Sequence, residues 1–111
     1  MNLSISTETN EEAVVVHVGG DLDVYTAPRL KDTLAKAMVD DRRLVLDLSQ
    51  VHFIDSTALG VLVSLLEQSQ AAAGDLRLVM DDPYLLKIFH ITGFDGMFSI
   101  YPEVAVAVSG D

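Results

Sequence analysis

The run Asp55-Ser56-Thr57 is where this sequence could do chemistry. Apolar Phe53-Ile54 precedes it and an apolar helical pattern follows, so polar groups are confined to a strand-to-helix junction. A serine hydroxyl in that place has three uses. It can cap the helix, and Ser56 reads as the natural N-cap. It can act as a nucleophile with His52 or His90 as base, but no G-x-S-x-G elbow frames it and its neighbour is an acid. It can accept a phosphoryl group, because the free N–H groups and the dipole of a helix N-terminus favour negative charge.

The helix that follows carries an unusual stripe. Ser56, Gly60, Ser64 and Glu67 or Gln68 recur at three- and four-residue steps and share one face. Leu59, Leu62, Val63 and Leu66 form the face expected to be buried. A stripe of glycine and serine is flat and costs little to desolvate, which suits docking by another surface.

The rest of the composition excludes most alternatives. Seventeen acidic residues face seven basic ones in 111 residues, a formal net charge of -10. Such a field repels phosphate backbones and anionic lipid, and the nearest basic pair, Arg42-Arg43, sits beside Asp40-Asp41. No direct nucleic-acid or membrane binding is expected. There is no cysteine, so disulfides and thiol chemistry are excluded. His17, His52 and His90 are scattered without ligand spacing, so no metal site is expected, and no phosphate-binding P-loop motif is present. His17 reads as a satisfied structural residue, and Gly19-Gly20 as a turn. Asp47 lies in a strand that otherwise reads as buried, without an evident reason. The N-terminus lacks the basic and apolar regions of a signal peptide. The longest apolar stretch, Ala58 to Leu66, falls far short of the roughly 20 residues that span a bilayer. A soluble, cytoplasmic protein without a cofactor is expected.

These residues must be held by alternating strands and helices. Leu3, Ile5 and Thr7 alternate with polar residues, Thr9 to Glu12 is turn-like, and Ala13 to Val18 is a buried strand ended by Gly19-Gly20. Thr26 reads as the N-cap of a helix with Pro28 in its first turn and Leu30, Leu34, Ala37 and Met38 on its apolar face; Asp40-Asp41 stops it. A buried strand at Leu44 to Leu48 and a short apolar approach at Val51 to Ile54 lead to the long helix, which runs to about Ala73 with Gly74 as C-cap. A strand at Leu76 to Met80, a helix capped by Asp81 or Asp82 before Pro83, a short strand at Phe98 to Tyr101 and a Val-rich helix from Glu103 to Val108 complete the chain. Phe89 and Phe94 are assigned to the core. The order implies one α/β domain over residues 1–111, with a mostly parallel sheet of four to five strands opened by an antiparallel hairpin.

Three blocks carry a family resemblance. The run from Phe53 to Leu62 resembles the signature of bacterial anti-sigma factor antagonists, which are STAS domains. Gly20-Asp21-Leu22-Asp23 resembles their G-[ED]-[LI]-D segment, and Leu86 to Phe94 their third block. The resemblance implies a STAS-type fold and a binding protein rather than an enzyme. It implies a partner that is an anti-sigma factor and a serine kinase of the GHKL type, bound by the unmodified form so that a sigma factor is released. It implies phosphorylation of Ser56, with Thr57 as a secondary acceptor, and reversal by a PP2C-type phosphatase. Asp23 matches the family's first-loop aspartate, and Asp23, Asp55, Ser56, Thr57, Gly60, Ser64 and Glu67 become the expected partner-binding set. Many relatives have glycine where this chain has Ala58. A monomer or weak dimer is expected. The alternative within the family is a stand-alone ligand-sensing module, or a partner switch with a non-transcriptional output.

Overall fold

In the computed structural model, which describes residues 3–38 and 42–110, the chain opens as a hairpin. β1 (Leu3–Thr9) pairs antiparallel with β2 (Ala13–Leu22), and the Asn10 carboxamide closes the turn by accepting from the N–H groups of Glu12 and Ala13, both at 2.8 Å. α1 (Ala27–Ala37), β3 (Arg43–Ile54), α2 (Ser56–Ala71), β4 (Leu76–Val79), α3 (Pro83–Ile91), β5 (Ser99–Tyr101) and α4 (Val104–Ser109) follow, with a 3-10 turn at Phe94–Gly96 before β5. The sheet order is β1-β2-β3-β4-β5, and every pair after the first is parallel.

Each parallel step moves one strand outward in the same direction. Right-handed crossovers therefore place α1, α2 and α3 on one face. The main core agrees: Val14, Val16 and Val18 of β2, Leu44, Leu46 and Leu48 of β3 and Leu78 of β4 pack with Leu30 and Leu34 of α1, Leu62 and Leu65 of α2, and Leu85 and Phe89 of α3. Phe89, Phe94 and Phe98 meet edge to face at the end of this core, as the core assignment of Phe89 and Phe94 requires. The alternate residues of the strands, Ala13, Val15, Val45 and Val79, form a second, smaller cluster with Ala107 of α4 on the opposite face.

Several local expectations are corrected. Gly19-Gly20 makes no turn: β2 runs on to Leu22, and the pair lies where the β2–β3 register slips, with Gly20 at φ 106°. Strand β3 is one continuous element rather than a strand and an approach. Thr26 stands at the N-cap position of α1, but its hydroxyl caps nothing there; it accepts from the N–H of Asp23 (2.9 Å) and lies 2.8 Å from the carbonyl of Asp21. Met38 closes α1, and Asp40-Asp41, expected to stop it, lie outside the described residues. The left-handed residue after α2 is Ala73 at φ 56°, not Gly74. The N–H groups of Ala73 and Gly74 bond back to Gln70 and Ser69, which makes the helix end a Schellman motif one residue out of step with its glycine.

Candidate functional site

Strands β2, β3 and β4 all deliver their carboxyl ends to one edge of the sheet, because they run parallel, with Leu22 beside Ile54. Three acidic segments meet the solvent there: the end of β2 and its loop, with Asp21 and Asp23, Asp55 after β3, and Asp81-Asp82 after β4.

Asp55, not Ser56, is the N-cap of α2. Its backbone is extended (φ -107°, ψ 178°), and Oδ1 accepts from the N–H of Ala58 at 3.0 Å. The serine is displaced because the carboxylate already occupies the capping geometry, and Ser56 becomes the first helical residue. Its hydroxyl is therefore not tied up in a cap, and the residue is exposed, as is Thr57. Oδ2 of Asp55 reaches out of the helix and accepts from the N–H of Val24 at 3.0 Å, while the N–H of Asp55 bonds the carbonyl of Leu22, also at 3.0 Å. One aspartate thus fastens the β2–α1 loop to the mouth of α2.

Asp23 organises that loop from within. Oδ1 accepts from the N–H groups of Tyr25 and Thr26 at 2.9 Å, and the carbonyl accepts from Ala27 at 2.8 Å. Partial burial works to raise its carboxyl pKa. The N–H groups of Thr26 and Tyr25, with the Thr26 hydroxyl, outweigh burial and hold the pKa below the usual carboxylate range. Asp82 is lowered as well, first by its bond to the His52 imidazole at 2.9 Å, then by the N–H groups of Tyr84 and Leu85, which it caps at the start of α3. Both are ionised at neutral pH, so this edge is a fixed negative rim.

The expected stripe on α2 is present. Gly60 and Glu67 are exposed and Ser64 is half-buried, while a Cβ placed on Gly60 would meet nothing within 4 Å. The buried face is shifted from expectation: Ala58, Leu62, Leu65, Leu66 and Ser69 face the core, and Leu59 and Val63 are only half-buried. Sequence reasoning missed the exposed apolar residues at this edge. Tyr25 is 74% exposed and Val24 52%, in the loop that Asp55 ties to the mouth of α2, and Phe53, near the end of β3, is 43% exposed. The signal was available, since Val24-Tyr25 is an apolar pair inside an otherwise polar loop. The two candidate bases, His52 and His90, bond Asp82 and Asp95 rather than Ser56.

This arrangement has known counterparts. The STAS domain family matches residues 4–107. The chain belongs to the STAS domain family. Its domain is 32% identical over 100 residues to the anti-sigma-B factor antagonist of Bacillus subtilis, covering 90% of this chain and 92% of that protein. It is 34% identical over 101 residues to the anti-sigma-B factor antagonist of Staphylococcus aureus, covering 90% and 94%. Among solved structures, an anti-sigma factor antagonist from Mycobacterium paratuberculosis superposes with a TM-score of 0.88 at 30% identity, covering 97% of this chain and 92% of that one. The mixed, mostly parallel STAS-type sheet, expected with four to five strands, is observed with five. No helix among the described residues is long and apolar enough to cross a membrane.

Proposed function

We propose that this STAS domain is an anti-sigma factor antagonist whose binding is switched by phosphorylation of Ser56. The observation that carries the reading is the division of labour at the mouth of α2. Asp55 caps the helix, and the adjacent Ser56 presents an exposed hydroxyl on the first helical turn. The unmodified form docks an anti-sigma factor that is also a GHKL-type serine kinase through the rim Asp23, Asp55, Ser56 and Thr57 and the flat stripe Gly60, Ser64 and Glu67, with Tyr25, Val24 and Phe53 as apolar contacts. Docking releases a sigma factor. A PP2C-type phosphatase reverses the modification, Thr57 is the secondary acceptor, and the domain acts as a regulatory binding protein, a monomer or weak dimer, in the cytoplasm.

The chemistry needs no large movement. Phosphorylation adds nearly two negative charges to a rim that already holds Asp23 and Asp82 ionised. Folding tolerates the addition because the first-turn N–H groups and the helix dipole favour an anion. Binding does not, because a like charge at about 4 Å is opposed by roughly 4 kcal/mol at an effective dielectric of 20. Even about 2.7 kcal/mol weakens affinity a hundredfold.

The test is to incubate the protein with ATP and candidate anti-sigma kinases from the same genome, map phosphosites by mass spectrometry, and titrate binding. Phosphate on Ser56, its absence from Ser56→Ala, and affinity reduced about a hundredfold in Ser56→Asp are expected. Gly60→Gln should also block docking while leaving the fold intact, since the space above Gly60 is open and glutamine is the better helix former. Tight binding indifferent to both substitutions would show that this face is not the docking surface.

A further inference from the structure

We propose that Glu8, His17 and Asp47 form a proton-dependent clamp that fastens the edge strand β1 to the body of the sheet. Three neighbouring strands supply one member each, on the face away from α1, α2 and α3. His17 Nδ1 lies 2.7 Å from Oδ2 of Asp47 on β3, and Nε2 lies 2.9 Å from Oε1 of Glu8 on β1. A neutral imidazole carries a single N–H, whereas an ionised carboxylate can only accept. The neutral ring therefore satisfies one of these carboxylates and turns a lone pair toward the other. Only the imidazolium donates to both, so the paired geometry itself selects the protonated ring.

The other charges on that face are paired elsewhere. From β1 the groups on that face are Glu8 and the uncharged Ser4 and Ser6, the latter opposite His17 in register. From β3 there are Asp47 and, four residues back, Arg43, which bonds Asp75 and the carbonyl of Val108; β4 adds Arg77, which bonds Asp75 and the carbonyl of Ala107. α4, packed on the same face, brings no titratable side chain between Val104 and Ser109, and α1 packs on the other face. The bond to Glu8 raises the His17 pKa above its ordinary value of 6.5; burial works against this, and Asp47 adds to it. A raised value places the clamp's stabilisation fully below pH 6.5 and removes it as pH climbs through the folded-state pKa.

The order of release follows from burial. Asp47 is 7% exposed and also accepts from the N–H of Ser49 at 3.0 Å, whereas the Glu8 side chain is 68% exposed. The last N–H of the neutral ring stays with the buried carboxylate, and Glu8 lets go. β1 borders the sheet on one side only, so its far end then loses its one side-chain tie to His17, and the strand edge becomes easier to open.

The test uses the full chain. Imidazole nitrogen NMR should give His17 a pKa above that of a free histidine, doubly protonated below it, and lowered by Glu8→Gln. Amide-exchange protection of β1, corrected for intrinsic rates, should fall roughly two- to fivefold across that titration in the wild type, the range expected of a partly exposed ion pair. The fall should vanish in Glu8→Gln, a substitution at an exposed site that leaves the core untouched. A wild-type pKa at or below 6.5 would overturn the clamp, as would a β1 protection step that survives Glu8→Gln.

Discussion

The carboxylate of Asp55 accepts from two segments at once, the N–H of Ala58 in α2 and the N–H of Val24 in the β2–α1 loop. Its two oxygens are not equivalent. Asp55→Ala removes both bonds and should cost about 2 kcal/mol, read as a shift in urea midpoint without a change in slope. Asp55→Asn retains a good N-cap oxygen and should recover about half of that loss, leaving the loop bond unrestored. Equal losses in the two variants would mean that the tie to Val24 contributes nothing. The residue scale also explains Asp47, for which the sequence offered no reason. It is the buried partner of His17 across the parallel β2–β3 register.

At the scale of the element, the end of α2 is mismatched to its sequence. Ala73 occupies the left-handed position at φ 56°, where a Cβ is crowded by its own backbone. Gly74 beside it has no such need, yet a Cβ there would meet the Ser69 hydroxyl at 2.9 Å. Ala73→Gly should therefore stabilise the domain by about 0.5–1 kcal/mol in denaturant melts, the usual gain when a positive φ is relieved, net of the glycine's greater unfolded-state entropy. No gain would mean that the helix ends differently. The α4 helix shows the opposite balance. Its Val-Ala-Val-Ala-Val-Ser composition is poor for a helix, but Arg43 donates to the carbonyl of Val108 and Arg77 to those of Ala107 and Gly110. Two cations at the carboxyl end of a helix stabilise what propensity does not.

For the molecule as a whole, the anchoring of that last helix depends on a carboxylate. Asp75 bonds Arg43 at 2.8 Å and Arg77 at 3.2 Å, and Arg77, otherwise buried, stacks over the Tyr101 ring. Burial works to raise the Asp75 pKa, and the bonds to Arg43 and Arg77 lower it further than burial raises it; Asp47 is likewise lowered, by Ser49 and His17 against burial. A depressed carboxyl pKa stabilises the fold above the unfolded value of 3.8, and that contribution is lost as pH falls through the folded value. Stability should thus decline below about pH 4, and Asp75→Asn should flatten the decline while lowering stability at neutral pH; thermal melts between pH 2 and 7 would show both. An unchanged acid limb in Asp75→Asn would place the acid sensitivity elsewhere.

The element order, the opening hairpin, the parallel sheet and the serine junction were legible from the sequence, because strand and helix periods and the capping residues are local properties of the chain. So was the small and polar stripe on α2, since three- and four-residue spacing alone places Ser56, Gly60 and Ser64 on one face. The three motif blocks carried the family without any structure. The tertiary structure alone decided which of Asp55 and Ser56 caps the helix, since both residue types cap well and the choice rests on the bond that Asp55 also makes to Val24, 31 residues away. It alone decided that Gly19-Gly20 bends a strand rather than ending it, because strand continuation depends on partners in β1 and β3 that no local pattern records. Long-range pairing likewise turned three unremarkable residues, Glu8, His17 and Asp47, into one cluster, and gave a lone arginine in a buried strand, Arg77, its place beneath α4.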